Sequence, residues 1–213
     1  MSKITDIENF VRHLKDGMSI MVGGFMTIGT SDTLIEGIVA SGVKDLTVIC
    51  NDAGFPNKGV GKLIHSRQVK TLIASHIGLN PEAGDLMNKE EIEVILVPQG
   101  TLAEQIRAAG CGLGGVLTKT GLGTMVEEGK QIITIDNEDY LLEKPLKSDL
   151  TIIKASKVDS HGNVFYNATT RNFNPLMAMA AEKVFVSYCE MVEELDPNIV
   201  VTPHCLVDYM VKE

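Results

Sequence analysis

Short apolar runs recur along this 213-residue chain, and most of them are continuous rather than alternating with polar residues. Continuous runs rich in Val, Ile and Leu are typical of parallel strands that are covered on both faces. We therefore predict strands at 18–22, 46–50, 69–74, 92–97, 131–135, 150–154 and 184–188. Helical spacing of apolar residues predicts helices at 32–41, 58–66, 101–109 and 175–182, after a first helix near the N-terminus.

Strands that alternate with helices predict an α/β protein, here a layered α/β/α domain with a largely parallel open sheet. No internal repeat, low-complexity tract or Pro/Ser-rich linker divides the sequence. We therefore expect a single domain over residues 1–213, which is long enough to bury one sizeable core.

Capping residues predict where three of the helices begin. Thr5 and Glu8 form a capping box, in which the Thr hydroxyl accepts a hydrogen bond from a backbone N–H three residues on. Thr101 and Glu104 form a second box, and Thr30 is the predicted N-cap of the helix that follows it.

The chain is acidic, with 19 Lys and Arg against 28 Asp and Glu, a net charge of −9. This charge gives no general attraction to nucleic acid or to anionic lipid. No apolar run approaches the ~20 residues of a membrane span, and the N-terminal residues lack the apolar centre of a secretory signal. We expect a cytoplasmic protein that binds neither nucleic acid nor membranes.

Cysteine and histidine spacing argues against a metal site. The cysteines stand at 50, 111, 189 and 205, with no Cys-x-x-Cys pair, and the five histidines show no ligand-like spacing. A disulfide framework is also not expected at this size and composition. Cys50 ends an apolar run and is predicted to be a small buried hydrophobic residue.

Ligands of open parallel sheets bind beyond the carboxyl ends of the strands, and three of these strand-to-loop junctions carry unusual residues. At the first junction, Gly23 and Gly24 follow the strand and Gly29 precedes the next helix. Glycines let a backbone approach a ligand closely, and a helix N-terminus offers free N–H groups to an anion or oxyanion. The alternative is a tight turn that needs glycine for its own geometry.

Two further junctions carry polar side chains. Gln99 follows the strand that ends at Pro98 and is predicted to lie just before a helix, where its amide could stabilise an oxyanion without being charged. Asn51 and Asp52 follow the strand at 46–50. Each also has a simpler interpretation: Gln99 as a solvated loop residue, and Asn51 and Asp52 as Asx-turn residues.

Other candidates have simpler explanations. The segment 110–115 matches Gly-x-Gly-x-x-Gly, but a helix precedes it where a dinucleotide site needs a strand, so we predict a flexible, close-packed loop or a lid instead. Glu90-Glu91 and Glu127-Glu128 are expected to be solvated, and His161 is expected to lie in a turn at 159–163.

Five segments together resemble the alpha subunit of the family I 3-oxoacid CoA-transferases, a group that includes bacterial acetate and butyrate–acetoacetate CoA-transferases. They are 16–29, which carries the Gly-Gly-Phe-x-x-x-Gly signature, then Val-Pro-Gln-Gly-Thr-Leu (97–102), Glu-Glu-Gly-Lys (127–130), Arg-Asn-Phe-Asn-Pro (171–175) and Val-Thr-Pro (201–203). Ser31 stands where the signature has Pro, a residue that would occupy the first helical position.

The resemblance implies a ping-pong transfer of CoA between an acyl-CoA and a short-chain carboxylate such as acetoacetate, acetate or butyrate. Its nucleophile is a glutamate in a Ser-Glu-Asn-Gly segment of a beta subunit, and this chain has no such segment. The implied assembly is an alpha2-beta2 heterotetramer. Coenzyme A and acyl-CoA are substrates, and no tightly bound cofactor is implied.

The same resemblance assigns residues of this chain to the site. Gln99 stabilises the oxyanion and Asn51 lines the active site. CoA binding falls to the loop Gly23, Gly24, Phe25, Met26, Thr27, Ile28 and Gly29. Because CoA is polyanionic and the chain is acidic, local Lys or Arg residues or the partner chain are expected to meet its phosphates.

Two other functions remain open from the residues alone. A phosphate-binding α/β enzyme of the sugar-phosphate isomerase type would use the glycine loop for a phosphate and act without a partner. A non-catalytic scaffold subunit would only stabilise an active partner, and its function would not depend on Gln99.

Overall fold

The computed structural model describes residues 3–213, and a mostly parallel sheet organises them. The strands are β1 Ser19–Val22, β2 Leu46–Cys50, β3 Val69–Ala74, β4 Glu93–Leu96, β5 Val116–Thr118, β6 Gln131–Ile135, β7 Glu138–Glu143, β8 Ser148–Asp159, β9 Val164–Phe165, β10 Ala181–Val192 and β11 Tyr209–Lys212. The α-helices are α1 Ile7–Arg12, α2 Asp32–Ser41, α3 Val60–His65, α4 Pro81–Asn88, α5 Gln99–Gly110 and α6 Asn174–Met177. Short 3₁₀ helices occupy Met125–Glu127, Ala168–Thr170, Pro197–Ile199 and His204–Leu206.

Strand order in the large sheet is β11-β10-β8-β1-β2-β3-β4, with every neighbouring pair parallel, and β9 adds to β8 in the antiparallel sense. Strands β1 to β4 progress toward one edge, whereas β8, β10 and β11 progress toward the other. The direction reverses between β1 and β8. In open α/β sheets the carboxyl ends of strands at such a reversal form a crevice where ligands bind.

Helices cover both faces of this sheet, as the continuous apolar runs predicted, although Ile95 and Leu96 of the edge strand β4 are 40% and 53% exposed. One core contains Phe10, Ile35 and Leu63, from helices α1, α2 and α3. The other contains Leu102 and Met177, from helices α5 and α6. The predicted α/β/α layering with a largely parallel sheet is therefore confirmed. The longest helix of residues 3–213, α5, has 12 residues, too few to cross a bilayer.

The strand predicted at 131–135 is confirmed, but it lies outside the parallel sheet. Strand β6 lies in a separate antiparallel sheet of order β5-β7-β6. Asp136 and Asn137 both have positive φ, 51° and 63°, and connect β6 directly to β7. Two such residues favour a tight hairpin turn, and a hairpin makes its two strands antiparallel.

The predicted helix at 175–182 is wrong in length. Helix α6 ends at Met177, and Ala181 already begins β10, where it pairs with Ser148 of β8. The chain must return to the sheet within these few residues, so the helix cannot continue. In contrast, α4 was not predicted, although Asn80 and Pro81 carry the signal of an N-cap followed by proline in the first turn.

Each predicted N-cap lies one or more residues away from the observed one. Asp6, not Thr5, caps α1, and its carboxylate accepts a hydrogen bond from Asn9 N at 2.8 Å. Ser31, not Thr30, caps α2 through Leu34 N, so Ser31 occupies the N-cap rather than the first helical position. Adjacent capping-type residues compete for one role, and sequence alone does not rank them.

The second predicted capping box is replaced by an earlier helix start. Helix α5 begins at Gln99 after Pro98, so Thr101 lies inside the first turn. Thr101 is buried, and its hydroxyl has no hydrogen-bond partner among residues 3–213. Gln99 is therefore a helical residue and not a loop residue that precedes a helix.

A buried ion pair joins the small antiparallel sheet to α5. Glu143 at the end of β7 is 2% exposed, and Lys130 Nζ donates to its Oε1. Gln105 of α5 donates to the other carboxylate oxygen at 3.0 Å. Lys130 belongs to the Glu-Glu-Gly-Lys segment, whose lysine thus has a clear structural role.

We expect Lys130→Met to lower the free energy of unfolding by on the order of 3 kcal/mol, because a buried carboxylate would lose its counter-charge. Urea unfolding followed by circular dichroism measures this change. Lys144→Met is the matched control, since Lys144 adjoins Glu143 in sequence but is exposed. Equal unfolding midpoints for the two variants would contradict the stabilising role of the Lys130–Glu143 pair.

Candidate active site

The loops that follow β1, β2 and β3 meet the start of α5 around one open cavity of about 490 Å³. Its lining residues are Phe25, Met26, Asn51, Asp52, Ser75, His76, Leu79 and Gln99. All of them follow the carboxyl ends of parallel strands, where ligands of such sheets bind. Two predicted site residues, Asn51 and Gln99, and part of the predicted glycine loop therefore line one cavity.

Asn51 is the buried centre of the hydrogen bonds at this edge. Its side chain is 2% exposed, and its Oδ1 accepts from Gln99 Nε2 at 2.7 Å. Its Nδ2 donates to Asp52 Oδ2 at 2.7 Å. Its backbone oxygen accepts from both the backbone N–H and the hydroxyl of Ser75, at 2.9 and 2.7 Å. Asn51 thus holds the ends of β2 and β3 and the first residue of α5 together.

Gln99 keeps donor capacity toward the cavity. A primary amide has two N–H donors, and Asn51 occupies one of them. The other has no acceptor among residues 3–213, and the side chain is exposed. A neutral amide fixed at one hydrogen and free at the other can donate to an oxygen on which negative charge develops.

Asp52 links the first two loops. Its Oδ2 accepts from Met26 N at 2.8 Å, and its Oδ1 accepts from Gly54 N at 2.9 Å. The second contact is the predicted Asx turn, and the first was not foreseen. The carboxylate therefore accepts three hydrogen bonds, counting that of Asn51, and serves as a brace between loops.

Cys50 lies beneath this brace at the end of β2. Burial, together with the nearby negative charge of Asp52, raises the pKa of the Cys50 thiol well above its ordinary value. The thiol therefore stays protonated and is a poor nucleophile. The prediction that Cys50 is a small buried hydrophobic residue is confirmed.

The glycine loop forms a tight turn that displays apolar side chains. Phe25 and Ile28 exchange backbone hydrogen bonds at 3.0 and 2.9 Å, while Met26 and Thr27 have φ values of 47° and 69°. Positive φ costs a non-glycine residue roughly 1–2 kcal/mol. Such strain persists only where surrounding contacts enforce it, and it is common at functional sites.

Two asparagines of the Arg-Asn-Phe-Asn-Pro segment supply those contacts. Asn172 Nδ2 donates to Ile28 O at 2.9 Å, and Asn174 Nδ2 donates to Gly29 O at 3.0 Å. Asn174 is fully buried, and its Oδ1 accepts from Lys154 N of β8 at 3.3 Å. The segment 171–175 thus holds the glycine loop in place through the backbone carbonyls of that loop's last two residues.

Close packing explains why glycine is needed in this loop. A Cβ at Gly23 would lie 1.8 Å from Asn174 Oδ1, and one at Gly24 would lie 1.9 Å from Thr30 Oγ1. Gly24 also has a φ of +132°, which other residues seldom adopt. The glycines at 23 and 24 are therefore required by the geometry of the loop itself, which was the simpler alternative for these two positions.

A second loop repeats the first. Gly54-Phe55-Pro56-Asn57-Lys58-Gly59 follows β2 as 24–29 follows β1, and both close with an antiparallel bridge between the second and fifth residues. A Cβ at Gly59 would lie 3.1 Å from Thr27 Cγ2, so the two loops pack together. This six-residue repeat was visible in the sequence as Gly-Phe-x-x-x-Gly and was missed.

The outer side of the glycine loop is an apolar surface. Phe25, Met26 and Ile28 are 39%, 39% and 52% exposed, and they border an open groove of about 620 Å³ with Thr169 and Asn172. Exposed apolar side chains on a held loop are suited to contact the apolar part of a ligand or another chain.

Ser75 and His76 are site residues that the sequence reasoning overlooked. They follow β3 directly, so the rule that singled out the ends of β1 and β2 also applied to them.

The other candidates lie outside this cavity. The turn at 159–163 is confirmed, because Asp159 accepts three backbone N–H groups. The solvated Glu90-Glu91 pair is confirmed as exposed.

Comparisons with known proteins agree on one family. A family model described as coenzyme A transferase matches residues 4–213. The acetoacetyl-CoA:acetate/butyrate CoA transferase alpha subunit of Clostridium acetobutylicum is 54% identical over 214 residues, which cover 100% of this chain and 98% of that protein. The acetate CoA-transferase subunit alpha of Escherichia coli K12 is 50% identical over 212 residues, covering 99% and 96%.

Solved structures share the fold at lower identity. An acyl-CoA transferase from Escherichia coli O157:H7, in a thioester complex with CoA, has a TM-score of 0.88 and 23% identity. The match covers 100% of this chain and 47% of that one, so this chain spans less than half of it. Glutaconate coenzyme A-transferase from Acidaminococcus fermentans has a TM-score of 0.87 and 19% identity, covering 99% and 75%.

We expect Gly24→Ala to lower the melting temperature by at least about 5 °C, because the new Cβ meets Thr30 and the backbone is held at positive φ. Differential scanning calorimetry measures this shift. Gly100→Ala is the control: no atom lies within 4 Å of its Cβ, and alanine favours helix by about 1 kcal/mol. A Gly24→Ala protein as stable as Gly100→Ala would refute the packing account.

Proposed function

This chain belongs to the coenzyme A transferase family, and we propose that it is the alpha subunit of an enzyme that moves CoA between a short-chain acyl-CoA and a carboxylate such as acetoacetate or acetate. The names of its relatives in Clostridium acetobutylicum and Escherichia coli K12 support this substrate class. They do not favour a sugar-phosphate isomerase. CoA and acyl-CoA serve as substrates, with no tightly bound cofactor, and the cytoplasm is the proposed compartment.

The observation that carries this proposal is the pair of Gln99 and Asn51. Attack on a thioester or an anhydride moves negative charge onto a carbonyl oxygen, and a fixed neutral donor lowers the barrier to that step. Asn51 anchors one hydrogen of the Gln99 amide, so the free hydrogen has a defined direction. A charged donor in the same place would bind the carboxylate substrates more tightly before reaction and gain less in the transition state.

We assign the nucleophile to a partner chain, the beta subunit. Within the cavity, the Asp52 carboxylate accepts three hydrogen bonds and links two loops, and these contacts hold it in place and make it a weak nucleophile. Burial keeps the Cys50 thiol protonated. The cavity is open to solvent, which leaves room for a carboxylate that enters from another chain. The relatives named as alpha subunits support this division, and we propose an alpha2-beta2 heterotetramer.

In this arrangement each site residue has one role. Gln99 donates to the oxygen of the reacting carbonyl, and Asn51 orients Gln99. Residues 23–29 contact CoA, with the exposed side chains of Phe25, Met26 and Ile28 against the uncharged part of the molecule. The CoA phosphates are proposed to bind cationic side chains, either of the partner chain or of the neighbouring loop 54–59, which carries Lys58.

Gln99→Ala in the complex with the partner tests the proposal. We expect kcat to fall about 10²–10³-fold, as for loss of one oxyanion donor. The melting temperature should change little, because Gln99 is exposed and the buried Asn51 Oδ1 still accepts from the Ser75 hydroxyl at 3.2 Å. Steady-state transfer from acetoacetyl-CoA to acetate is the assay.

Gln105→Ala is the matched control on the same helix. Gln105 donates to buried Glu143 rather than to the cavity, so its loss should lower the melting temperature and leave kcat within about twofold. A Gln99→Ala complex that keeps half the wild-type kcat would rule out the oxyanion role and favour a scaffold subunit.

A further inference from the structure

Most polar side chains of the cavity are hydrogen-bonded to one another. Asn51 and Asp52 are buried and hydrogen-bonded to each other and to the neighbouring loops, and the Ser75 hydroxyl donates to Asn51 O. The imidazole of His76 lines the same cavity, is exposed, and has no hydrogen-bond partner among residues 3–213. Gln99 and His76 are the two exposed polar side chains of this lining, and both keep donor capacity for a ligand.

The position of His76 is fixed although its ring is free. Its backbone oxygen accepts from Ala53 N at 3.1 Å, and residue 76 pairs with Asp52 in a parallel bridge. The ring lies over Gly78: a Cβ there would stand 3.0 Å from His76 Nε2. A glycine thus leaves space for the imidazole at the cavity wall, and the strand end that carries it is tied to the residue that anchors Gln99.

We propose that His76 is a specificity-determining residue that binds the acid substrate, by donating a hydrogen bond to the carboxylate oxygen that does not attack. This inference rests on the proposed function. The cavity contains one fixed negative charge, Asp52, so a carboxylate needs donors to enter it. Gln99 serves the reacting carbonyl, and His76 on the neighbouring strand end supplies the second donor. Phe25, Met26 and Leu79 form the apolar walls for a short hydrocarbon chain.

The two half-reactions of a ping-pong enzyme separate this role from a general loss of structure. In such kinetics kcat/KM for each substrate reports its own half-reaction. A hydrogen bond to a charged oxygen contributes more than one to the neutral thioester carbonyl of an acyl-CoA. The loss of a His76 donor should therefore affect the free acid more strongly than the acyl-CoA.

The test uses the alpha–beta complex with acetoacetyl-CoA as donor and acetate as acceptor. We expect His76→Phe to lower kcat/KM for acetate about 30-fold and for acetoacetyl-CoA about threefold, with the inhibition constant of free CoA unchanged. His76→Gln retains a donor and should restore most of the acetate value. If the His76→Phe complex fails to assemble, His76→Gln provides the measurement instead. Its kcat/KM for acetate is expected to fall less than fivefold.

His65→Gln is the control, because His65 lies at the end of α3 beside Glu82 and outside the cavity. It should leave both kcat/KM values within twofold. Equal losses for acetate and acetoacetyl-CoA in His76→Phe, or none for acetate, would overturn the assignment of His76 while the wild-type complex stays active. A wild-type complex that transfers no CoA to any carboxylate would instead refute the proposed function.

Discussion

The hydrogen bonds of the Asn51 side chain are the interaction on which the site depends. This amide is buried, accepts from Gln99 and donates to Asp52, and its backbone oxygen holds Ser75. Burial makes an unmade hydrogen bond here costly, so the ends of β2 and β3 and the first residue of α5 are held in one arrangement. A donor that must meet a developing oxyanion requires this kind of fixed geometry.

Hydrogen bonds to side chains also hold the glycine loop, from two sides. Asp52 accepts from the Met26 backbone in front, while Asn172 and Asn174 hold the carbonyls of Ile28 and Gly29 behind. These contacts compensate for two non-glycine residues at positive φ. The result is a rigid loop whose apolar side chains face outward, at the crevice where the order of the strands reverses.

Much of this could be predicted from residue patterns alone. Continuous apolar runs gave the parallel strands and the two buried faces, and the strand-end rule pointed to Gly23, Asn51 and Gln99. The resemblance to a known family added the reaction and the partner. What was missed depends on contacts between distant segments. The hydrogen bond from Met26 to Asp52, the anchoring by Asn174 and the pairing of Lys130 with Glu143 leave no mark in local sequence.

Other errors arose where neighbouring residues compete for one role. Thr30 and Ser31 are both good caps, but the Thr30 hydroxyl donates to Gly23 O at 3.0 Å, and the Ser31 hydroxyl accepts from Leu34 N. The hairpin at Asp136-Asn137 carried a readable signal, as did the Ser75-His76 strand end, and a fuller use of the same rules would have found both.

Intact-mass spectrometry of the alpha–beta complex tests the division of labour between the chains most directly. The complex is incubated with acetoacetyl-CoA in the absence of a free acid and is then denatured. The account predicts a CoA adduct on the partner only, which added acetate removes, while this chain stays at 23.1 kDa. A CoA adduct on this chain that acetate removes would contradict it.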